Sequence, residues 1–469
     1  MNYRNGKIED LNIAYIGGGS RGWAWTFMTD LALEPQLSGS IRLYDIDRAA
    51  AENNAVIGNR ISKRDDAVGK WNYVVSGSLK EALTGADFVV ISILPGTFDE
   101  MESDVHMPER LGIYQSVGDT AGPGGMIRAL RTLPMFVEIA EAIKSYCPSA
   151  WIINYTNPMS LCVKVLYHVF PQIKAFGCCH EVFGTQEVLA GILQKEGYVT
   201  EKPERHEINI NVLGINHFTW FDYASYKGID LFPVYRDYID KNFDKGWVED
   251  NSEHWANSHF TCKHRVKFDL FNRYGLIAAA GDRHLAEFMP GDMYLKDPET
   301  VRGWDFDLTP VSWRKEDLKH RLERSARLAS GEEEINLKPT GEEGILLIKA
   351  LCGLTRVISN VNIPNTSLQI PNLPESAVVE TNAVFERDAI RPVAAGKLPE
   401  QVYALVIPHV RNHERILKAS LTCDRSLVKE AFMTDPQVIG RASEEEVSKL
   451  VDDMIDATIK YLPEGWKNN

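Results

Sequence analysis

The sequence predicts an α/β protein: an N-terminal Rossmann-type, doubly wound parallel sheet followed by a C-terminal mixed α+β region. Three observations predict it. A short apolar strand runs directly into a glycine-rich turn and a helix, β-branched strands then alternate with helical stretches, and beyond residue 197 the alternation gives way to paired strands and longer helices. Two domains are expected on this basis, residues 1–197 and 198–469.

The first strand is NIAYI, residues 12–16. It is followed by GGGSRGWAWTFMTDLAL, in which Gly17, Gly19 and Gly22 satisfy G-x-G-x-x-G, and then by the strand IRLYDID ending at Asp45. Glycines of this spacing between strand and helix allow a tight turn and close approach of a pyrophosphate to the helix N-terminal amides. An acid about twenty residues on accepts from a ribose diol and repels a 2′-phosphate, which favours NAD over NADP. The expected cofactor-binding residues are Gly17, Gly19, Ser20, Arg21, Gly22 and Asp45. The runs ADFVVISILPG (residues 86–96) and AWIINYTNP (150–158) read as further strands, with a helical pattern over 126–146 between them. Ligands of such sheets lie at the carboxyl ends of the strands. Asn157 and the loop GDTAGPGG (118–125) fall at such ends, where each is also compatible with an ordinary turn.

The chain has 469 residues, 44% apolar and 25% charged, the composition of a folded globular protein. A formal net charge of −14 and a pI near 5.4 argue against nucleic acid and anionic membrane surfaces as partners. The longest apolar runs are too short to span a bilayer, and the start MNYRNGKIED lacks a signal-peptide core, so cytoplasmic residence is expected. Seven cysteines show no disulfide framework. Free thiols in a reducing compartment are expected.

In the second half, residues 207–226 read as two paired strands with GINH at the turn, and DLKHRLERSARLASGEEE (317–334) as a solvated charged helix. His254, His259 and His264 are spaced by five, which on a helix turns successive side chains about 140° apart, so a metal cluster made of these three is not expected. The stretch AFGCCHEVFGTQ (175–186) is different. It takes a strand into a helix and puts Cys179 near the helix N-terminus, a location that lowers a thiol pKa. A buried small apolar side chain, a nucleophile and a metal ligand are the three readings it leaves open.

Taken together, GGGSRG with DID, INYTNPMSL, GCCHEV, GINH and GDRHLAEF resemble, in this order and over nearly the whole chain, glycoside hydrolase family 4, whose members use NAD and a metal. The resemblance implies that Cys179 and His217 hold a divalent cation, usually Mn²⁺, with Asn157 beside the sugar. It implies oxidation of a sugar at C3 by hydride transfer to NAD, loss of the C2 proton, elimination of the C1 substituent, water addition and return of the hydride. Asp282 in GDRH is the expected base and His180 the candidate leaving-group acid. The CHEV form resembles most the branch acting on α-galacturonides from pectin, for which Glu181 and Arg283 are substrate-side candidates, Arg283 as partner of a uronate carboxylate. A homodimer or homotetramer is implied. Within the family the alternatives are α-glucosidase, α-galactosidase and α-glucuronidase. From another class the alternative is a 2-hydroxyacid dehydrogenase of the lactate/malate type, which shares the Rossmann start and the TNP turn.

Overall fold

The computed structural model describes residues 1–248 and 262–467. His254 and His259 lie outside the described residues. Among the described residues fourteen strands build two sheets: β1 (Asn2–Arg4), β2 (Lys7–Ile16), β3 (Leu37–Tyr44), β4 (Trp71–Val75), β5 (Phe88–Ile91), β6 (Trp151–Asn154), β7 (Lys174–Gly177), β8 (Asn209–Ile215), β9 (Phe218–Tyr226), β10 (Ile229–Asp230), β11 (Ile277–Ala278), β12 (Val357–Pro364), β13 (Val378–Glu386) and β14 (Ala389–Pro392). In the larger sheet β4-β3-β2-β5-β6-β7 lie side by side and parallel, the 3-2-1-4-5-6 order of dinucleotide-binding folds.

These strands are buried on both faces, so they read as continuous apolar runs. Ala14, Ile16, Val89, Ile91, Ile152 and Ala175 face one core, shared with the helices Gly122–Tyr146 and Met159–Val169. Their alternates Ile13, Tyr15, Phe88, Val90, Ile153 and Phe176 face the other, under the helices Trp23–Leu33 and Arg48–Ile61. The register is level at the carboxyl edge: Ile16 pairs with Ile91, Ile91 with Asn154, and Asn154 with Gly177. The glycine loop, the segment after β5, the Asn157 turn and Cys178–Cys179 therefore emerge in one row.

Late segments return to this sheet. β12 pairs antiparallel with β7 through Asn362 and Gly177, and β13 and β14 follow. Phe176 on β7 meets the Phe385 ring of β13 edge to face at 5.4 Å and is fully buried. Truncating it to Ala should cost about 3–5 kcal/mol, the range for a buried aromatic. The helices Glu400–Thr422, Arg425–Met433 and Glu444–Thr458 add Ile416, Phe432 and Met454 to the core around Phe136. β8 and β9 are the expected antiparallel pair, turning at Asn216–His217, and with β10 and β11 they form the second sheet between two further cores. The charged helix runs over Val311–Ser330, burying only Val311, Ser325 and Leu328. All seven cysteines are free. No helix among the described residues is long and apolar enough to cross a membrane.

Candidate active site and metal centre

The glycine loop is built to bring a backbone close to something. Gly17 sits at φ +91°, and a Cβ there would come within 2.0 Å of the Ser92 carbonyl oxygen; one on Gly19 would come within 2.6 Å of Ala50 Cβ. Only glycine fits the positive φ of Gly17 without strain. The helix Trp23–Leu33 starts at Gly22 with no side-chain cap, which leaves its first amides for an anion. Asp45 accepts from the Gly19 amide (2.8 Å) and the Asp47 amide (2.9 Å) at the end of β3. Arg21 reaches Asp47 at 3.4 Å, and its carbonyl accepts from Arg321. Asn54, fully buried, donates to the carbonyls of Gly18 and Ser20 and accepts from the Trp25 indole, so it fixes the loop from the helix behind. These residues fit a dinucleotide.

Across the edge, Cys179 Sγ lies 3.2 Å from His217 Nδ1. A sulfur and a ring nitrogen this close together could serve as donor atoms to one cation. The opposite nitrogen, His217 Nε2, is buried without a hydrogen-bond partner among the described residues, as is Asn157 Oδ1. Orphaned buried polar atoms call for a ligand. The pair fits a divalent cation, and thiolate with imidazole is a borderline-soft donor set.

Burial pushes the Cys179 thiol well above its ordinary value, and Glu380 and Glu181 add to the rise. The lowered thiol expected from the helix end is thereby corrected: the helix begins only at Glu181, and desolvation outweighs its dipole. Burial likewise lowers His217 to about 3, so its imidazole is neutral and free to coordinate.

Around this pair the fold gathers residues from distant segments. The His284 ring lies 4.3 Å from that of His217. Glu181 Oε1 is 3.6 Å from His284 Nε2, and Glu181 Oε2 accepts from the Gly281 amide at 2.8 Å. Burial opposes ionisation of Glu181, but the imidazoles of His284, His217 and His180 hold it down at about 2. His180 directly precedes the helix Glu181–Lys195 without capping it through its side chain, with Nδ1 3.1 Å from Glu342 and its ring 5.7 Å from that of Trp23. Burial works against its charged form, yet Glu342 and Glu181 raise it to about 9. Asp119, in the GDTAGPGG loop, is half-buried beside Arg128, His284 and His217, and against desolvation they depress it to about 2.

Two expected residues sit differently. Asp282 is fully buried, and its oxygens accept from the amides of Val266 (3.2 Å) and Lys267 (3.1 Å), capping the helix Arg265–Tyr274. Burial raises it to about 6 while Lys267 holds it down. Cys262, His264 and Asp282 bring donor atoms within 4.8 Å of one another, but Lys267 already places positive charge beside Asp282 and His264. Arg283 donates to the carbonyls of Ser116 and Asp307 and to the Thr309 hydroxyl, tying three segments together. Glu342 and Asn54 were not singled out by the sequence; Asp119 lies within the GDTAGPGG loop and His284 within GDRHLAEF, but neither is among the expected site residues.

A parallel sheet in dinucleotide-binding order with a thiol–imidazole pair at its carboxyl edge defines the class: a Rossmann-fold protein whose edge residues fit a dinucleotide and a divalent cation. Residues 12–195 match the model of the family 4 glycosyl hydrolases and residues 212–438 that of the family's C-terminal domain. The chain belongs to glycosyl hydrolase family 4. It is 70% identical over 466 residues to an α-galacturonidase of Lachnoclostridium phytofermentans, covering 99% of this chain and 100% of the relative. An α-galacturonidase of Bacillus subtilis is 49% identical, with 97% and 98% covered. Among solved structures, a Bacillus subtilis protein described as a candidate glucosidase superposes with a TM-score of 0.90 at 49% identity, covering 95% of this chain and all of that one. A 6-phospho-α-glucosidase from gut microorganisms, in complex with NAD and Mn²⁺, shares the fold (TM-score 0.77, 20% identity, 97% and 99% covered). The dehydrogenase alternative is not favoured.

Proposed function

We propose that this chain hydrolyses α-galacturonides, using NAD and a divalent cation, Mn²⁺ first among candidates. The 70% identity to a named α-galacturonidase supports the substrate class, and the observation that carries the chemistry is the 3.2 Å contact of Cys179 with His217 beside the glycine loop. When bound, NAD supplies a reversible hydride acceptor and the cation a Lewis acid for sugar oxygens.

The chain's own residues do the rest. Gly17, Gly19, Ser20, Arg21 and Gly22 form the cradle for the pyrophosphate, and Asp45 presents acceptors to a ribose diol. Cys179 and His217 hold the cation, and the orphaned Asn157 oxygen accepts from a sugar hydroxyl. Loss of the sugar C2 proton needs a base. Both oxygens of Asp282 already receive backbone N–H groups, which supports a capping role for it. His284 is better placed: its Nδ1 is buried without a hydrogen-bond partner among the described residues and Glu181 stands 3.6 Å from its Nε2. An imidazole with one free ring nitrogen and a carboxylate at the other has the arrangement of a general base. His180, positioned by Glu342, donates to the leaving oxygen. The contacts of Arg283 give no support to its expected role at the uronate carboxylate.

Hydrolysis of an α-galacturonide in deuterated water with NAD, Mn²⁺ and a reductant tests this reading. Deuterium at C2 of the released sugar is expected; unlabelled product overturns the elimination route. Parallel assays with α-glucosides, α-galactosides and α-glucuronides test the substrate. A cytoplasmic homodimer or homotetramer is the proposed assembly, which light scattering checks.

A further inference from the structure

Glu380 on β13 is 1% exposed and has no ion-pair partner among the described residues. Its Oε2 accepts from Asn216 Nδ2 at 3.2 Å, and its Oε1 from Asn360 Nδ2 at 2.7 Å. Both amides lead to the metal pair. Asn360 Nδ2 also donates to the Cys179 carbonyl at 3.1 Å, and Asn216 immediately precedes His217 in the chain. The register explains the convergence. β12 pairs Asn362 with Gly177 on one side and with Glu380 on the other, so Glu380 stands two strands from the end of β7 and diagonal to Asn360.

A carboxylate buried this deeply is costly unless charge or hydrogen bonds offset it. Neutral amides satisfy its oxygens but leave the charge uncompensated. A dication beside the Cys179 thiolate adds positive charge to this region; Asp119 and Glu181 there already face Arg128 and imidazoles, whereas Glu380 is the buried carboxylate whose charge still needs a counterpart. We propose that Glu380 is a positioning residue for the cation at Cys179 and His217: its negative charge matches the cation, and through Asn216 and Asn360 it fixes the thiol and the His217 turn in one geometry. This rests on the reading that the Cys179–His217 pair holds a divalent cation. Groups that orient metal ligands typically contribute about 10–100-fold to metal affinity.

The test titrates metal-free full-length protein with Mn²⁺, following the free ion by electron paramagnetic resonance, and with Co²⁺, following the sulfur-to-cobalt charge-transfer absorption. Glu380→Gln is expected to weaken Mn²⁺ binding about 10–100-fold and to shift or diminish the cobalt band, with NAD affinity unchanged. Glu380→Asp keeps the charge and should stay closer to wild type than the isosteric Gln does. Wild-type affinity and band in Glu380→Gln, or an Asp variant weaker than the Gln variant, overturns the inference, because packing alone would favour Gln. If Glu380→Gln does not fold, Asn360→Ser decides: severalfold weaker Mn²⁺ binding supports the link to Cys179, and unchanged binding overturns it. Wild-type protein that binds no Mn²⁺, or Cys179→Ser that binds it equally well, refutes the metal reading itself rather than the role of Glu380.

Discussion

Cys179 Sγ and His217 Nδ1 stand 3.2 Å apart although 38 residues separate them in the chain. One arrives from the end of a parallel strand, the other from the turn of an antiparallel pair. Cys179→Ser should lower Mn²⁺ affinity at least about 100-fold and turnover with it, since a hydroxyl does not ionise to replace a thiolate ligand. NAD affinity should change less than about twofold, because the glycine loop lies on other strands. Calorimetric titration with each ligand separates the two effects, and retained Mn²⁺ affinity removes Cys179 from the ligand set.

His284 and Asp282 lie two residues apart in the first turn of the helix Asp282–Phe288 but make different contacts. His284→Asn should reduce kcat by about 10²–10⁴-fold, the usual worth of a proton-transfer group, and slow exchange of deuterium into C2. Asp282→Asn should mainly destabilise the fold, by about 1–2 kcal/mol as for other lost helix caps, and leave the exchange step in place. Equal exchange rates in wild type and His284→Asn would give the base back to another residue.

Asp45, which accepts from the Gly19 amide of the glycine loop, is the proposed selector between dinucleotides. Asp45→Ala should weaken NAD binding about tenfold or more, the loss of a hydrogen bond to a charged group. It should also narrow the preference for NAD over NADP by removing the repulsion toward a 2′-phosphate. Fluorescence titrations with both cofactors measure this; an unaltered NAD/NADP ratio would falsify the role.

Glu287 links pH to stability. It is 1% exposed and accepts from the amides of Val117 and Gly118, and burial pushes it from an ordinary 4.5 up to about 8. Between those values the folded chain binds more protons than the unfolded one, so this group's contribution to stability falls as pH rises through the window. The slope is at most about 1.4 kcal/mol per pH unit. Glu287→Gln, neutral throughout, should show a shallower decline of Tm between pH 5 and 8 than wild type. Parallel curves would mean that Glu287 stays ionised in the fold.

The sequence made the parallel sheet and its cofactor loop readable because strand, turn and helix follow each other within a few tens of residues, each with a period of its own. Cys179 and His217 stood out through local motif and family resemblance. His284 lay inside the GDRH motif but was passed over for its neighbour Asp282, while Glu342 and Glu380 left no local signal, because each joins the site only through long-range contacts. Glu342 reaches His180 from across the molecule, and Glu380 arrives through β12 and β13, whose proline-punctuated, strand-like sequence says nothing about which edge they join. The thiol of Cys179 was misjudged for a related reason: a helix end is visible in the sequence, whereas burial is a property of the assembled core.

The closing of the β7 edge by β12 has a consequence for any attempt to divide the molecule. A fragment stopping at residue 197 contains every parallel strand, yet it presents β7 as a bare rim with unpaired backbone groups and leaves Phe176 without the Phe385 ring. Open rims of this kind recruit other chains. Such a truncation should aggregate, and cofactor-binding studies on the isolated nucleotide half should begin by supplying residues 357–392 as a covering segment.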